Sequence, residues 1–577
     1  MGADKKSSSF QSGDSAKYNI MLPSVVWQDY DVSLLPFDQQ SIQSNIVDEI
    51  EQTTYKITAT ISPSGSVRTT LKTYSKLSFL PSCALLIVPE YNKMPSMELI
   101  MDFAKNGFFV AVADIAGNDN PPTEFSQEYA YGKFSDAGEH ISSVMPTARE
   151  TSQYLYTLII KRSLYFMRNH LTDACICLVG LGDAVEVAMQ AAGSGAVADG
   201  LVCINGAGYR EYIKLNKFGS TKELDMTDDR ICWLSGVASV AYAKSITIPT
   251  FVAIGTNAEK SDIDRINNLV ALLPSENIRV SFSPNAADFI LPEQFATLKQ
   301  WIIAALNGDS FPENPQLSVK INSDGKIYAE VNCDTNYTIL RVQIHYSYGE
   351  YNHIIRDWRK SYGIAVSEKQ YIATIEVTNT KAPLFAFAEV EYLDENANKI
   401  VLSSLEEYVE LQGQSVKTAL LQKVSPIVYA TISGKRGLIE TCDNEILMQY
   451  GLKSITTKSG ANGITSSTGG FRTYHLNIPP SEFEDCLLQI EFFSTATVCI
   501  VLTLFCNDND AIKRYSTELT ISETNGVFNS IQFKLNDFKD MRYKPLTAWG
   551  NVRALEIRNK EVNDAVENIT VGNMLFI

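Results

Sequence analysis

The stretch Ala174–Gly193, ACICLVGLGDAVEVAMQAAG, decides the fold of the first half of this chain. It runs from a short apolar segment through a Gly-rich turn into a helix-forming segment, which predicts strand, turn and helix. This order is that of a nucleophile elbow, G-x-S-x-G, in which a sharp turn lifts a serine above a sheet. Here Gly182 occupies the nucleophile position, between Gly180 and Ala184. Because glycine has no side chain to attack a carbonyl, the motif predicts the fold without its chemistry.

Strands and helices alternate along the chain before this elbow. The apolar runs Cys83–Val88 and Phe108–Ala113 predict buried parallel strands, and Pro95–Asn106 between them has the apolar spacing of a helix. Strand, helix and strand at this spacing predict a βαβ unit. Two alternating strands are expected earlier, within Thr54–Thr73, and a long amphipathic helix is expected over Thr151–Leu171.

The alternation continues after the elbow. Further strands and helices are predicted at Leu201–Ile204, Ile248–Ile254, Asp262–Leu273, Ile278–Phe282 and Pro292–Leu306. The whole pattern predicts a doubly wound α/β domain over residues 20–310. Within it, residues 209–244 are expected to form a small helical cap, and residues 1–19 before it are expected to be a disordered arm.

The pattern changes after Asn307. The linker-like run Gly308–Pro315 is followed by short alternating strands with polar turns, which predict a β-sandwich over residues 316–411. A second all-β domain is predicted over residues 425–577. The predicted fold class is therefore multidomain, α/β plus all-β, with a doubly wound domain followed by two β-sandwich domains.

Composition and charge exclude several classes of partner. The 577 residues carry 49 Lys and Arg against 66 Asp and Glu, a formal net charge of −17. An acidic chain is repelled by phosphate backbones and anionic lipid, so no nucleic acid partner is expected. No run approaches the about 20 apolar residues of a transmembrane helix, so no membrane insertion is expected. The polar N-terminus does not resemble a secretory signal, which predicts a cytoplasmic protein or one within an assembled particle.

The ten cysteines are scattered, and many lie in apolar runs. This distribution predicts buried free thiols in a reducing compartment instead of a disulfide framework. Neither a paired C-x-x-C nor a His–Cys cluster is present. No metal and no cofactor are therefore expected.

The α/β part resembles the α/β-hydrolase family, and within it the acetyl-xylan-esterase and dienelactone-hydrolase-like branch. The resemblance covers about half of the chain. It is carried by the segments Leu86–Pro89, Asn106–Gly117, Cys177–Gly182 and Ile248–Asn257.

The resemblance implies a catalytic triad whose positions are degenerate in this chain. Family chemistry needs a serine, an acid after a late strand and a histidine before the last helix, each within hydrogen-bond reach of the next. This sequence has Gly182 at the serine position, Asn257 at the acid position and Ala287 near the histidine position. No histidine occurs between His170 and His345. The resemblance therefore implies a pseudoenzyme.

Other side chains could supply a relocated site, although each has a plainer explanation. Asp183 could act as a carboxylate nucleophile on a shifted turn, but an acid at a helix N-terminus interacts with the helix dipole. Ser194 is expected in a loop, and His140 in a solvated polar stretch. Glu90 and Tyr91 occupy the oxyanion loop of the family, where a carboxylate opposes a developing negative charge.

The two β domains carry weaker resemblances. The middle domain, with His345–Tyr351 and Arg356–Arg359, resembles the immunoglobulin-like domain appended to some hydrolases of this branch. Its aromatic residues, Trp358 among them, either form a binding surface or, the favoured interpretation, pack strands and the interdomain seam. The last domain resembles galactose-binding-like jelly rolls and carbohydrate-binding modules, with Trp549 expected in its core. The framework positions that carry this likeness are Ile531–Phe538, Pro545–Trp549, Val552–Ile557 and Ile569–Ile577.

These features predict a non-catalytic protein that acts through its β-sandwich domains as a structural or assembly component. Protein partners or self-assembly are expected. Two alternatives stay open at this point: a glycan-recognition protein, and a carbohydrate esterase or deacylase with a relocated active site.

Overall fold

A computed structural model describes most of the chain. It covers residues 19–576, apart from 37, 63–64, 78–80, 145, 172, 213, 221, 379, 382, 420–426, 430–451, 457–461, 467–469, 475–485, 509–510 and 561–568. The predicted N-terminal arm lies outside the described residues except for its last residue. The chain divides into two compact units, the first being Met1–Gly180, Ala184–Asp199 and Leu224–Thr247, and the second Leu181–Asp183, Gly200–Glu223 and Ile248–Ile577.

The first unit carries six helices and seven strands among its described residues. The helices are α1 (Pro23–Trp27), α2 (Met97–Lys105), α3 (Ser152–His170), α4 (Val185–Gly193), α5 (Asp228–Gly236) and α6 (Ser239–Ala243). The strands are β1 (Gln40–Val47), β2 (Ile50–Ser62), β3 (Gly65–Lys76), β4 (Cys83–Val88), β5 (Phe109–Ala113), β6 (Glu124–Phe125) and β7 (Cys175–Leu181).

The strands of the first unit form a mixed sheet in the order β1-β2-β3-β5-β4-β7, with β6 on β3. The pairs β1–β2, β2–β3 and β3–β5 are antiparallel, whereas β4 pairs parallel to both β5 and β7. Every residue of β4 and β5 is buried. Full burial of both faces is what continuous apolar runs require of a parallel strand, so the sequence pattern and the topology agree.

Local signals fix the ends of the helices. Helix α2 begins after Ser96, whose hydroxyl oxygen accepts the Leu99 amide hydrogen at 3.3 Å, as an N-cap residue does. Helices α5 and α6 fall inside the range predicted as a cap. They belong instead to the core of the first unit, where the indole nitrogen of Trp27 in α1 donates to the Tyr242 hydroxyl at 3.1 Å.

The second unit begins with parallel strands and continues into the β domains. Its α/β elements are β8 (Gly200–Ile204), β9 (Thr250–Gly255), α7 (Ile266–Leu272), β10 (Ile278–Ser283) and α8 (Pro292–Asn307). Strand β9 pairs parallel to both β8 and β10.

The middle domain consists of two antiparallel sheets. Its strands are β11 (Gln316–Ile321), β12 (Ile327–Asn332), β13 (Thr338–Tyr348), β14 (Arg359–Tyr362), β15 (Ile364–Ala365), β16 (Gln370–Ile375), β17 (Leu384–Leu393), β18 (Lys399–Ser403) and β19 (Glu407–Val409). The sheet orders are β11-β12-β16-β15 and β14-β13-β17-β18, with β19 on β17.

The C-terminal domain also has two antiparallel sheets. Its strands are β20 (Ile427–Tyr429), β21 (Leu452–Thr456), β22 (Asn462–Ser466), β23 (Gly470–Thr473), β24 (Leu488–Ser494), β25 (Val498–Asp508), β26 (Ala511–Ile521), β27 (Asn529–Phe533), β28 (Val552–Asn559) and β29 (Ile569–Phe576). The sheet orders are β21-β22-β29-β24-β27, with β20 on β29, and β23-β28-β25-β26. Trp549 is 3% exposed within the hydrophobic core, as expected from the sequence.

The predicted fold class is confirmed. Parallel strands alternate along the chain with helices in an α/β-hydrolase-like first half, and β-rich domains follow. None of the described helices is both long enough and apolar enough to cross a membrane.

Candidate functional site

The predicted elbow forms as strand, turn and helix. Strand β7 ends at Leu181, and α4 begins at Val185. Gly182 between them has a φ of 53°, a conformation that strains any residue with a Cβ atom. At Gly180, an added Cβ would lie 2.9 Å from the Val185 Cα. The backbone therefore keeps the shape of an elbow, and Gly182, where the resemblance puts the nucleophile, carries no side chain.

The acid beside that position is engaged by a lysine. One carboxylate oxygen of Asp183 lies 4.0 Å from the ammonium nitrogen of Lys260, and both side chains are partly exposed. Asp183 also stands in the short turn just before α4. This is the ion-paired helix N-terminal acid that the plainer interpretation expects.

The other proposed rescue residues have identifiable partners within the first unit. Ser194 ends α4, where the ammonium group of Lys161 donates to its hydroxyl oxygen at 3.1 Å and to its carbonyl oxygen at 2.8 Å. The His140 ring stacks on Tyr131, with ring centroids 4.3 Å apart. Burial lowers the pKa of Lys161 to about 8.

The residues at the oxyanion-loop positions are held within the first unit. The fully buried Tyr91 donates its hydroxyl hydrogen to the Glu186 carboxylate at 3.3 Å. Glu90 pairs with Lys93 at 2.8 Å. Both carboxylates would oppose a developing negative charge near them.

The residue at the acid position binds the backbone of the middle domain. Asn257 follows β9 and is fully buried. Its amide nitrogen donates to the carbonyl oxygens of His353 at 3.0 Å and Arg356 at 2.8 Å. Its amide oxygen accepts a hydrogen bond from the Thr256 hydroxyl at 2.8 Å. Both polar atoms of the Asn257 side chain are therefore engaged.

The loop at the histidine position binds the same segment of the middle domain. Asn285 follows β10; its amide nitrogen donates to the Trp358 carbonyl oxygen at 2.7 Å, and its amide oxygen accepts the Trp358 backbone hydrogen at 2.8 Å. Ala287 in this loop is 6% exposed, and a Cβ added to Gly255 would lie 2.2 Å from its carbonyl oxygen. The two loops are packed together, and both bind the segment 353–358.

Trp358 itself lies in this seam. It is 3% exposed, and its ring packs against Phe387 with centroids 5.1 Å apart. The interpretation of this tryptophan as a packing residue is thus confirmed.

The C-terminal domain attaches beside the acid position. Glu259, two residues beyond Asn257, pairs with Arg472 at 3.1 Å and with Arg514. Burial acts to raise the pKa of Glu259, but the two guanidinium groups hold it below its usual value. One loop after β9 therefore binds both β domains. We call Asn257, Glu259 and Asn285 the clamp.

A buried charge cluster stands next to the clamp. The fully buried guanidinium of Arg356 contacts the Asp264 carboxylate at 2.5 and 2.9 Å and Glu406 at 3.1 Å. The Phe385 ring also lies against this guanidinium, with its centroid 3.4 Å from the guanidinium carbon. Burial acts to raise the pKa of Asp264, but Arg356 holds it below the usual aspartate value. Burial and the Asp264 carboxylate raise the pKa of Glu406 well above its usual value.

The cluster also contains a set of potential metal ligands. Asp262, Asp264 and His353 offer ligand atoms within 4.8 Å of one another. However, Arg265 lies 2.9 Å from Asp262, and Arg356 binds Asp264. Two guanidinium groups already compensate the two carboxylates, which favours an ion-pair network over cation binding.

The elbow and the doubly wound strands place the first half of the chain in the α/β-hydrolase-like fold class. Comparisons with known proteins add the following. No protein-family model and no curated protein matches the sequence.

Solved structures of esterases are similar to about half of the chain at low identity. An acetyl xylan esterase from Paenibacillus sp. R4 has a TM-score of 0.36 and 13% identity, over 48% of this chain and 90% of that one. Acetyl xylan esterase 1 from Thermoanaerobacterium sp. JW/SL YS485 has a TM-score of 0.37 and 12% identity, over 50% and 95%. A glucuronoyl esterase from Solibacter usitatus has a TM-score of 0.31 and 11% identity, over 46% and 85%.

The buried charge cluster makes stability depend on pH. The pKa of Glu406 is raised in the folded state. The stability that its bound proton contributes is therefore fully present below the unfolded-state pKa, and this contribution is lost as pH rises through the folded-state pKa. Glu406→Gln keeps the neutral form. The melting temperature of this variant, relative to wild type, should therefore increase as pH rises from about 5 to about 8.

Differential scanning calorimetry across this pH range measures the effect. Glu395→Gln is the matched control, because Glu395 is exposed in the same domain. Parallel pH profiles for wild type and Glu406→Gln would show that Glu406 is ionised in the folded protein.

Proposed function

We propose that the α/β part is a non-catalytic scaffold and that the protein works as a structural or assembly component through its β domains. One observation carries this proposal. The loops after β9 and β10, where the resemblance puts the acid and the histidine of a triad, bind the backbone segment 353–358.

The clamp and a triad need opposite chemistry at the same position. A triad acid must present a carboxylate that accepts the proton of a histidine nitrogen. Asn257 instead presents hydrogen-bond donors to two carbonyl oxygens. A carboxylate there would face these oxygens without a donor, so a catalytic acid and this domain attachment exclude each other.

The clamp suits a component whose β domains are held in place. Each buried hydrogen bond contributes about 1 kcal/mol, and the clamp also includes the charge-assisted contacts of Glu259 with Arg472 and Arg514. Such attachment fixes the β domains on the end of β9. Fixed surfaces lose little conformational entropy on association, which favours assembly with protein partners or with further copies.

A labelling experiment tests the absence of hydrolase chemistry. Wild-type protein is expected to resist a fluorophosphonate probe and to hydrolyse p-nitrophenyl acetate no faster than heat-denatured protein. Gly182→Ser is expected to behave in the same way, because a serine at that position still lacks a base. Labelling of the wild type would overturn the proposal in favour of an esterase with a relocated nucleophile, and mass spectrometry of the labelled peptide would locate it.

A second experiment tests the clamp. Asn257→Asp restores the acid of a triad but sets a carboxylate against the carbonyl oxygens of His353 and Arg356. We expect it to lower the free energy of unfolding by about 2–4 kcal/mol, measured by urea denaturation. Asn536→Asp, at an exposed position, is the matched control for charge and should change stability little.

An Asn257→Asp protein as stable as the control would contradict the role given to the clamp. If Gly182→Ser combined with Asn257→Asp gained ester hydrolysis at wild-type stability, the statement that a catalytic acid and this domain attachment exclude each other would be wrong.

A further inference from the structure

One turn of the C-terminal domain is unusually exposed and apolar. It spans residues 539–544, between strand β27 and Trp549, and we call it the basic turn. Its Met541 and Tyr543 are 97% and 83% exposed, the highest values for large apolar side chains in the described part of the chain. Apolar groups presented so fully to water favour an interaction surface.

Hydrogen bonds fix the shape of the basic turn. One carboxylate oxygen of Asp540 accepts the backbone hydrogens of Arg542 and Lys544, both at 2.8 Å. The Asp540 amide donates to the Lys544 carbonyl at 2.9 Å, and the Tyr543 amide donates to the Asp540 carbonyl at 2.9 Å. Because the backbone is already ordered, docking Met541 and Tyr543 loses little further entropy.

The basic turn is positively charged on an acidic protein. Lys539, Arg542 and Lys544 are exposed, and none forms a salt bridge with another described residue. Asp540 is the single acidic residue of the turn, against a net charge of −17 for the whole chain. The turn therefore complements acidic surfaces of the kind this chain itself presents.

We propose that the basic turn docks on an acidic surface of a second copy of this chain. This inference rests on the proposed assembly function and names the surface that carries it out. The contact joins two different surfaces, so it is heterologous and propagates into rings or open filaments. Charge favours a protein partner over anionic lipid, because the rest of the chain is repelled by a negative membrane surface.

Sedimentation velocity over a wide range of concentration, at low and at high salt, tests the proposal. Wild-type protein is expected to form oligomers that grow with concentration and shrink with salt. Two double variants, Met541→Ser with Tyr543→Ser and Arg542→Glu with Lys544→Glu, should each weaken association at least about 10-fold. The matched controls are Met226→Ser, at a position 57% exposed in the first unit, and Lys244→Glu, at an exposed position of that unit. Both controls should assemble like wild type.

The outcomes separate this inference from the proposed function. Oligomers that form equally in wild type and both double variants would overturn the role of the basic turn and leave assembly intact. A wild type that stays monomeric at every concentration would overturn this inference and leave the proposed function to partners other than a second copy, whereas labelling of the wild type by the fluorophosphonate probe would overturn the proposed function. A monomeric wild type that co-sediments with phosphatidylserine vesicles, while the double variants do not, would replace the second copy with a lipid surface.

Discussion

The second unit depends on the burial of one cation. Arg356 is removed from water together with Asp264 and Glu406, and an unpaired charge at that depth would cost several kcal/mol. The three residues come from the middle domain, from the turn before α7 and from the connection between β18 and β19. Because the guanidinium must meet the Asp264 carboxylate and the Glu406 carboxyl group at once, the segment 353–358 can take only a narrow range of positions. In this position, the carbonyl oxygens of the segment 353–358 face the amide groups of the clamp.

In the loops at the ends of β9 and β10, the buried polar side chains of Asn257 and Asn285 bind the middle domain. In the α/β-hydrolase-like arrangement these loops are where the resemblance puts a proton relay. Here the side chains that bind the segment 353–358 from these loops are the amides of Asn257 and Asn285, which carry no charge at any ordinary pH. A catalytic acid and the attachment of the middle domain would both need the side-chain polar atoms at position 257. The elbow at Gly182 differs, since its shape follows from backbone packing at Gly180 and needs no side chain at position 182.

Most of the α/β part could be predicted from the sequence, because each element is set by its own residues. The run Cys83–Val88 is apolar throughout, and strand β4 has the same bounds. Strand β1 was not predicted, since its polar residues show no burial pattern and every one of them is exposed. The cap over residues 209–244 was expected from mixed composition, which does not reveal that α5 and α6 pack into a core.

The sequence predicted the candidate site only as three positions at which the resemblance expects a triad. The choice of Gly182, Asn257 and Ala287 is what the resemblance to the hydrolase family implies. Asn257 binds His353 and Arg356, which lie 96 and 99 residues further along the chain. Arg356 in turn binds Asp264, which lies 92 residues earlier. Pairings at such separation depend on how domains meet, and a single sequence carries no signal for them.

The attachment of two domains to one loop has a mechanical consequence. Asn257 and Glu259 stand two residues apart, so part of a force on either β domain reaches the chain just beyond the end of β9. This strand lies between β8 and β10 with parallel hydrogen bonds on both sides. A force along β9 therefore acts on the backbone hydrogen bonds to both β8 and β10, and many of these bonds must break together before the strand can slide. The attachment of the β domains at the end of β9 is therefore expected to resist mechanical force, because the strands β8 and β10 on either side hold β9 in place.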